Sequence, residues 1–204
     1  MIIQINTEKL KELNPCVDRY RNWLEHYSEF CGSFNEFLDL DKITYDDKIF
    51  VIKKLVPKEV LVKWAILCAE SVLHFFERKF PNDKRPRDCI AYLKTGEKNI
   101  EKLINHKKSA YAAAAAAADY NAATDTAYAA AYAANAAYAY AADAAYAYAD
   151  DSAVTYAAAY AAAAAAYSAD AAAYAADAAY SDDDARLKQK NKNLEFLKSL
   201  LNNW

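Results

Sequence analysis

A chain of 204 residues with only 2 Gly and 4 Pro is long enough for one or two domains and poor in the residues that break helices. Cys16, Cys31, Cys68 and Cys89 stand far apart, with no C-x-x-C pair and no histidine at finger spacing, which argues against a disulfide framework or a zinc site and for reduced thiols in apolar helix faces. The formal net charge of −3 hides an uneven distribution: residues 1–108 sum to +3, 109–184 to −10 and 185–204 to +4, so oppositely charged parts can neutralise one another and no nucleic-acid partner is implied.

Asn6-Thr7 caps a short helical segment through Leu13. Asn14-Pro15 reads as N-cap and first helical position, and Val17, Tyr20, Trp23, Leu24 and Tyr27 then recur at helical spacing until Gly32. Ser33-Phe34-Asn35-Glu36 has the form of a capping box. Thr44-Tyr45-Asp46-Asp47 repeats the logic with Asp, opening a helix through Lys54 that contains the apolar run Ile49 to Ile52. Pro57 opens the strongest helix, Lys58 to Phe80. Its apolar set (Val60, Leu61, Trp64, Ala65, Leu67, Cys68, Val72, Leu73, Phe76) is nearly all round, so a buried central helix is expected.

Pro81 and Pro86 frame a tight corner. Glu77, Asp83, Arg85 and Arg87 can form a carboxylate–guanidinium cluster across it, either to rigidify the corner or to offer a charged binding spot. The short helix that follows should bury Cys89, Ile90 and Leu93. Gly96 breaks before a charged helix carrying Glu97, Lys98, Glu101 and Lys102.

That helix runs into a tract from Ala110 to Tyr180 with 43 Ala and 13 Tyr in 71 positions and no Gly, Pro, Lys or Arg. Ala is the best helix former. Polar clusters near 119–126, 150–152 and 181–184 supply caps. We expect helices near 98–119, 124–149, 152–180 and 184–203. Tyr156, Tyr160, Tyr167 and Tyr174 share one stripe, flanked by Asp170 and Asp177. The stripe reads as a tyrosine-lined core or as an exposed aromatic–acidic face for a partner, and the two readings are compatible. Thr124, Thr126 and Thr155 make no ice-binding repeat. Ten Asp along residues 109–184 fall well short of the charge density of a DNA mimic. Leu187, Leu194, Leu197, Leu201 and Trp204 mark an amphipathic closing helix.

The pattern contains no convincing strand, so the expected fold is all-α: a compact multi-helix array with Ala/Tyr-rich antiparallel helices and no sheet. Composition suggests an N-terminal helical part, 1–95, packed on an array, 96–204. His26, His74 and His106 fall in no metal or nucleophile motif, and Gly32 and Gly96 are isolated, so no catalytic, cofactor or metal residue is assigned. No charged, apolar leader and no apolar run of spanning length stand in the sequence, and a cytoplasmic protein is expected.

The corner and the tract together resemble the helical "putative immunity protein" sequences of bacteria and phages. Those carry a helix ending Ala-Glu…Leu…Phe-Glu, then Phe-Pro-Asp/Asn-Asp-x-Arg-Pro-Arg, a short helix and an Ala-rich array. The matching residues are Ala69, Glu70, Leu73, Phe76, Glu77, Phe80, Pro81, Asn82, Asp83, Arg85, Pro86 and Arg87, with Ala153 to Tyr156 inside the array. The resemblance covers about residues 60–180, and Tyr and Asp stand where those sequences carry more Arg, His and Gly. It implies a cytoplasmic, non-enzymatic inhibitor, in a bacterial cell and of bacterial or phage origin, that binds a protein effector: a toxin or a defence nuclease such as a CRISPR nuclease. The partner-binding candidates are Tyr156, Tyr160, Tyr167, Tyr174, Asp170, Asp177, Arg85 and Arg87, with Glu77, Pro81, Asp83 and Pro86 as the structural corner. Two alternatives stay open: an assembly protein using the array for homo-oligomerisation, and an enzyme with a site at the Glu77/Asp83/Arg85/Arg87 corner.

Overall fold

The computed structural model describes residues 3–118, 127–128, 130–131 and 183–203. Its elements in chain order are β1 (Gln4–Asn6), α1 (Thr7–Glu12), α2 (Val17–Tyr27), β2 (Cys31–Ser33), α3 (Phe34–Asp39), α4 (Tyr45–Leu55), α5 (Lys58–Lys79), α6 (Arg85–Lys94), α7 (Ile100–Ala116) and α8 (Asp183–Asn202). The described residues are mostly helical. The expectation of no sheet is corrected by one small antiparallel pair, Gln4 opposite Ser33, Ile5 opposite Gly32 and Asn6 opposite Cys31. The helices expected over 124–149 and 152–180 lie outside the described residues.

The chain divides into two units, Met1–Val56 with Leu201–Trp204, and Pro57–Leu200. This packing division falls at a different place from the compositional one at 95/96. In the first unit the strand pair closes the chain around Ile5, which is fully buried with Phe37, Leu38 and Ile52. A Cβ at Gly32 would lie 2.7 Å from Cζ of Phe30, so glycine lets β2 pass that ring. Gly32 therefore does not end the preceding helix; α2 already stops at Tyr27. Trp23 fills the middle of the unit, edge-on to Phe30, and its indole N–H donates to Thr7 Oγ1 at 3.0 Å. Asn35 Nδ2 donates to Asn202 Oδ1 at 2.7 Å, fastening the last residues of the chain into this unit.

The caps form as the sequence suggests. Asn6 Oδ1 accepts from Lys9 N–H, Ser33 and Glu36 make a reciprocal capping box, and Thr44 Oγ1 accepts from Asp47 N–H. Asn14 does not act as an N-cap. It takes φ +54° after α1, in the left-handed region that Asn tolerates, and α2 starts at Val17 with Cys16 as its cap.

In the second unit α5 is the central helix. Val60, Leu61, Trp64, Ala65, Ile66, Cys68, Ala69, Val72, Leu73 and Phe76 are buried along it. Cys89, Ile90 and Leu93 are buried on α6, together with Pro86. Phe76 packs into a cluster of Ala113, Ala114, Ala117 and Ala127, with Phe80 and Tyr128 against it. The alanines let helices approach closely, and the aromatic rings supply the apolar area they lack.

α8 is anchored on α5 by a buried polar chain. Trp64 Nε1 donates to the Asn193 carbonyl at 2.6 Å. Gln189 Nε2 donates to Ser71 Oγ and to Asn193 Oδ1, both at 2.8 Å, and Ser71 Oγ donates to the Cys68 carbonyl at 2.8 Å. Asn193 is fully buried, and Leu194, Leu197 and Leu201 are buried on the same helix. Leu187, expected in this core, is 56 % exposed, and Trp204 lies outside the described residues. No described helix is long and apolar enough to cross a membrane.

Candidate partner-binding site

The corner is built from the end of α5 and the start of α6. Phe80 closes α5, its N–H donating to the Phe76 carbonyl at 2.8 Å, and Asp83 N–H then donates to the Phe80 carbonyl at 3.1 Å. Pro81 turns the chain and Pro86 occupies the first turn of α6, where a missing N–H costs nothing. Lys84 Nζ donates to the Pro81 carbonyl at 2.7 Å.

The four charged residues do not form one cluster, which corrects the reading from sequence. They make two separate pairs. Arg87 on α6 grips Glu77 on α5 through Nε and Nη2, a two-point bond between the helices. Asp83 and Arg85 pair within the turn: Arg85 Nη2 donates to Oδ2 at 2.6 Å and Nε to Oδ1 at 2.9 Å, while Arg85 N–H donates to Oδ1 at 3.1 Å. The guanidinium of Arg87 holds the Glu77 carboxyl below its ordinary range, and that of Arg85 does the same for Asp83. Farther along, Lys94 Nζ donates to Glu70 Oε1 at 2.7 Å. Three ion pairs thus surround the α5–α6 corner, and Asp83 and Arg85 line an open, shallow depression beside Phe80 and Pro81.

A second concavity lies on the same unit, along one side of α5. Leu67, expected to be buried, lines it together with Val62 and Ile66. Spacing assigns Leu67 to the core because α5 is apolar on nearly every side; Leu67 is instead half-buried at the edge of this groove.

Of the other sequence candidates, Tyr156, Tyr160, Tyr167, Tyr174, Asp170 and Asp177 lie outside the described residues. His74 is exposed at the rim, its ring centroid 4.0 Å from that of Phe75, and burial is the main cause holding it below its ordinary pKa. Cys68 and Cys89 are buried thiols, as expected, whereas Cys16 and Cys31 are exposed. Among the described residues no group of His, Cys, Asp and Glu is placed to hold a metal ion.

A family model, that of the Imm-5 like putative immunity protein, matches residues 53–196. The chain belongs to that family. The match takes in the whole α5–α6 corner, α7 and most of α8, and it leaves out the first 52 residues. The resemblance carried by the Phe80–Arg87 motif therefore pointed to the right family. Comparison with curated proteins and with solved structures finds no match.

Proposed function

We propose that this chain is a non-enzymatic, cytoplasmic protein that neutralises a protein effector, a toxin or a defence nuclease, by binding it. Membership of the immunity-protein family is the observation that carries this reading. The corner supports its non-enzymatic part. Glu77 and Asp83 are each held ionised by an arginine, so neither is poised near neutrality as a general acid or base. A rigid corner and a neighbouring groove suit recognition, which gains from surfaces already ordered before they meet a partner.

The test is co-expression of the full chain with a panel of toxin domains and defence nucleases, CRISPR nucleases included, scoring growth or phage resistance and co-purification through a high-salt wash. The expected result is protection against one effector together with a stable complex. Protection lost on Tyr160→Ala with Tyr167→Ala points to the tyrosine stripe, and protection lost on Arg85→Ala points to the corner. Neither protection nor complex across the panel would refute the reading. Self-association in light scattering, without any effector complex, would favour the assembly alternative.

A further inference from the structure

α8 lies along α5 through two bonds already described, Trp64 to the Asn193 carbonyl and Gln189 to Ser71 Oγ. His74 and Arg78 follow Ser71 by one and two helical turns, so both stand on the side of α5 that meets α8. Lys192 follows Gln189 by three residues, hence on the same side of α8. All three are exposed. Arg78 and Lys192 come close enough to His74 to act on its charge: after burial, they are the next causes holding its pKa below the ordinary value. At neutral pH His74 is thus an uncharged imidazole with one N–H to donate, beside two cations.

The carboxylates around this edge are already engaged. Glu77 is held by Arg87, Glu70 by Lys94 and Glu195 by Lys198. Among the described residues Arg78 and Lys192 form no ion pair, and the Lys192 ammonium sits 5.7 Å over the ring of Phe196 instead. Phe75 lies against His74, and it and Phe196 are half-buried. Arginine and aromatic rings are the residues that interfaces concentrate and that carry most of their energy. The α6 side of α5 differs, because there each glutamate meets a cation of α6.

Two free cations and a neutral donor suit carboxylates. A guanidinium takes one carboxylate at two points, and an ammonium takes another as a point charge. A nucleic acid fits less well. Its affinity comes from many phosphates neutralised along a strand, and residues 109–184 of the same chain sum to −10, which repels a long polyanion.

Resting on the immunity reading, we infer that the His74–Arg78–Lys192 edge binds an acidic segment of the effector. That segment presents two carboxylates, one to Arg78 and one to Lys192, with an aromatic or aliphatic side chain beside them against the Phe75 or Phe196 ring.

The test needs no knowledge of the effector. A display library of random 12-residue peptides is panned on the full chain and counter-selected on its Arg78→Glu, Lys192→Glu double variant. Enriched peptides are then measured by fluorescence anisotropy at 50 and 300 mM NaCl. They should carry two Asp or Glu next to an aromatic or aliphatic residue. Binding should fall at least about tenfold on either single Glu variant, since like charges then face each other, and should weaken at the higher salt. Arg78→Gln and Lys192→Gln, which remove the charge without reversing it, should lose less, and thermal melts of all four variants separate lost binding from lost fold. Arg21→Ala, in the other unit, should leave binding unchanged. No enrichment, enrichment without paired carboxylates, or full binding to the folded cation variants overturns the inference. Tighter binding of a 20-nucleotide single-stranded DNA, lost on the same variants, overturns it as well. If the edge fails while co-expression still protects cells, the immunity reading stands and only this site is removed. If co-expression fails while acidic peptides bind the edge, the site stands and the immunity reading falls.

Discussion

Replacing Trp64 by phenylalanine tests the claim that a buried polar chain fixes α8 on α5. Trp64 is fully buried, and its indole N–H reaches the Asn193 carbonyl at 2.6 Å. Phenylalanine keeps an aromatic ring there but has no donor. The lost hydrogen bond is worth about 1 kcal/mol net. The smaller ring also leaves a void of ~40 Å³, which at about 24 cal/mol per Å³ adds ~1 kcal/mol. The expected loss is therefore about 2 kcal/mol, or roughly 4–8 °C in Tm for a chain of this size. Thermal and urea unfolding followed by far-UV circular dichroism measure it. Gln189→Leu removes the neighbouring bonds to Ser71 and Asn193. Because Trp64 and Gln189 both act on Asn193, the double variant should lose less or more than the sum by at least about 0.5 kcal/mol. A loss below ~0.5 kcal/mol for Trp64→Phe, with additive behaviour in the double variant, would refute the idea that the chain of hydrogen bonds acts as a unit.

Thiol labelling of the native protein should modify Cys16 and Cys31 and spare Cys68 and Cys89, with all four reacting in urea; burial pushes the Cys89 thiol up to about 12 and that of Cys68 well above its ordinary value. Fast native labelling of Cys89 would contradict its burial, with Sγ 3.5 Å from the Ala130 carbonyl. Glu77 and Asp83 have folded pKa values below their ordinary 4.5 and 3.8, so the stability they contribute is present above those values and lost as pH falls through the folded ones. Urea midpoints between pH 2.5 and 7 should drop below about pH 4.5, and Glu77→Gln should flatten that drop while costing only ~0.5–1 kcal/mol at neutrality, because Arg87 is 54 % exposed. Parallel curves for the two proteins would show that the pair does not contribute. Gly96→Ala should cost about 1 kcal/mol from its left-handed backbone alone, since a methyl group meets nothing there; a much larger loss in thermal unfolding would reveal a steric role. Ser33→Ala should cost roughly 1 kcal/mol by breaking the capping box, and an unchanged urea midpoint would count against it.

Local chemistry was legible in the sequence wherever a side chain acts on its own neighbours. Asn6, Ser33 and Thr44 cap the helices they precede, because the hydrogen bond spans three residues and depends on nothing else. The strand pair was not legible. Gln4–Asn6 and Cys31–Ser33 are too short to show a period, and their pairing joins residues 25 to 29 apart. Asn14-Pro15 and Gly32 were misread for a related reason: each residue type serves several turns, and only the surrounding packing selects one. The register of α8 was half legible. Leucine spacing gave Leu194, Leu197 and Leu201, but the buried stripe continues at i−4 steps through Asn193 and Gln189, polar residues that pattern reasoning sends to solvent. At the corner the residues were found and their pairing was not, because which carboxylate meets which guanidinium depends on side-chain geometry that spacing does not encode. The groove was hinted at by an all-round apolar α5, and its opening depends on what the neighbouring helices leave uncovered.

Leu201–Trp204 group with Met1–Val56, and Asn202 bonds to Asn35. This has a consequence for biosynthesis. Residues 1–56 leave the ribosome well before one of their fasteners is made. At about 5–20 residues per second, residues 57–202 take roughly 7–30 s to follow. During that time residues 1–56 can form their strand pair and their Trp23-centred core, yet they wait unlatched for Asn202. A truncation that removes residues 201–203 would then wound a unit that lies mostly at the other end of the sequence.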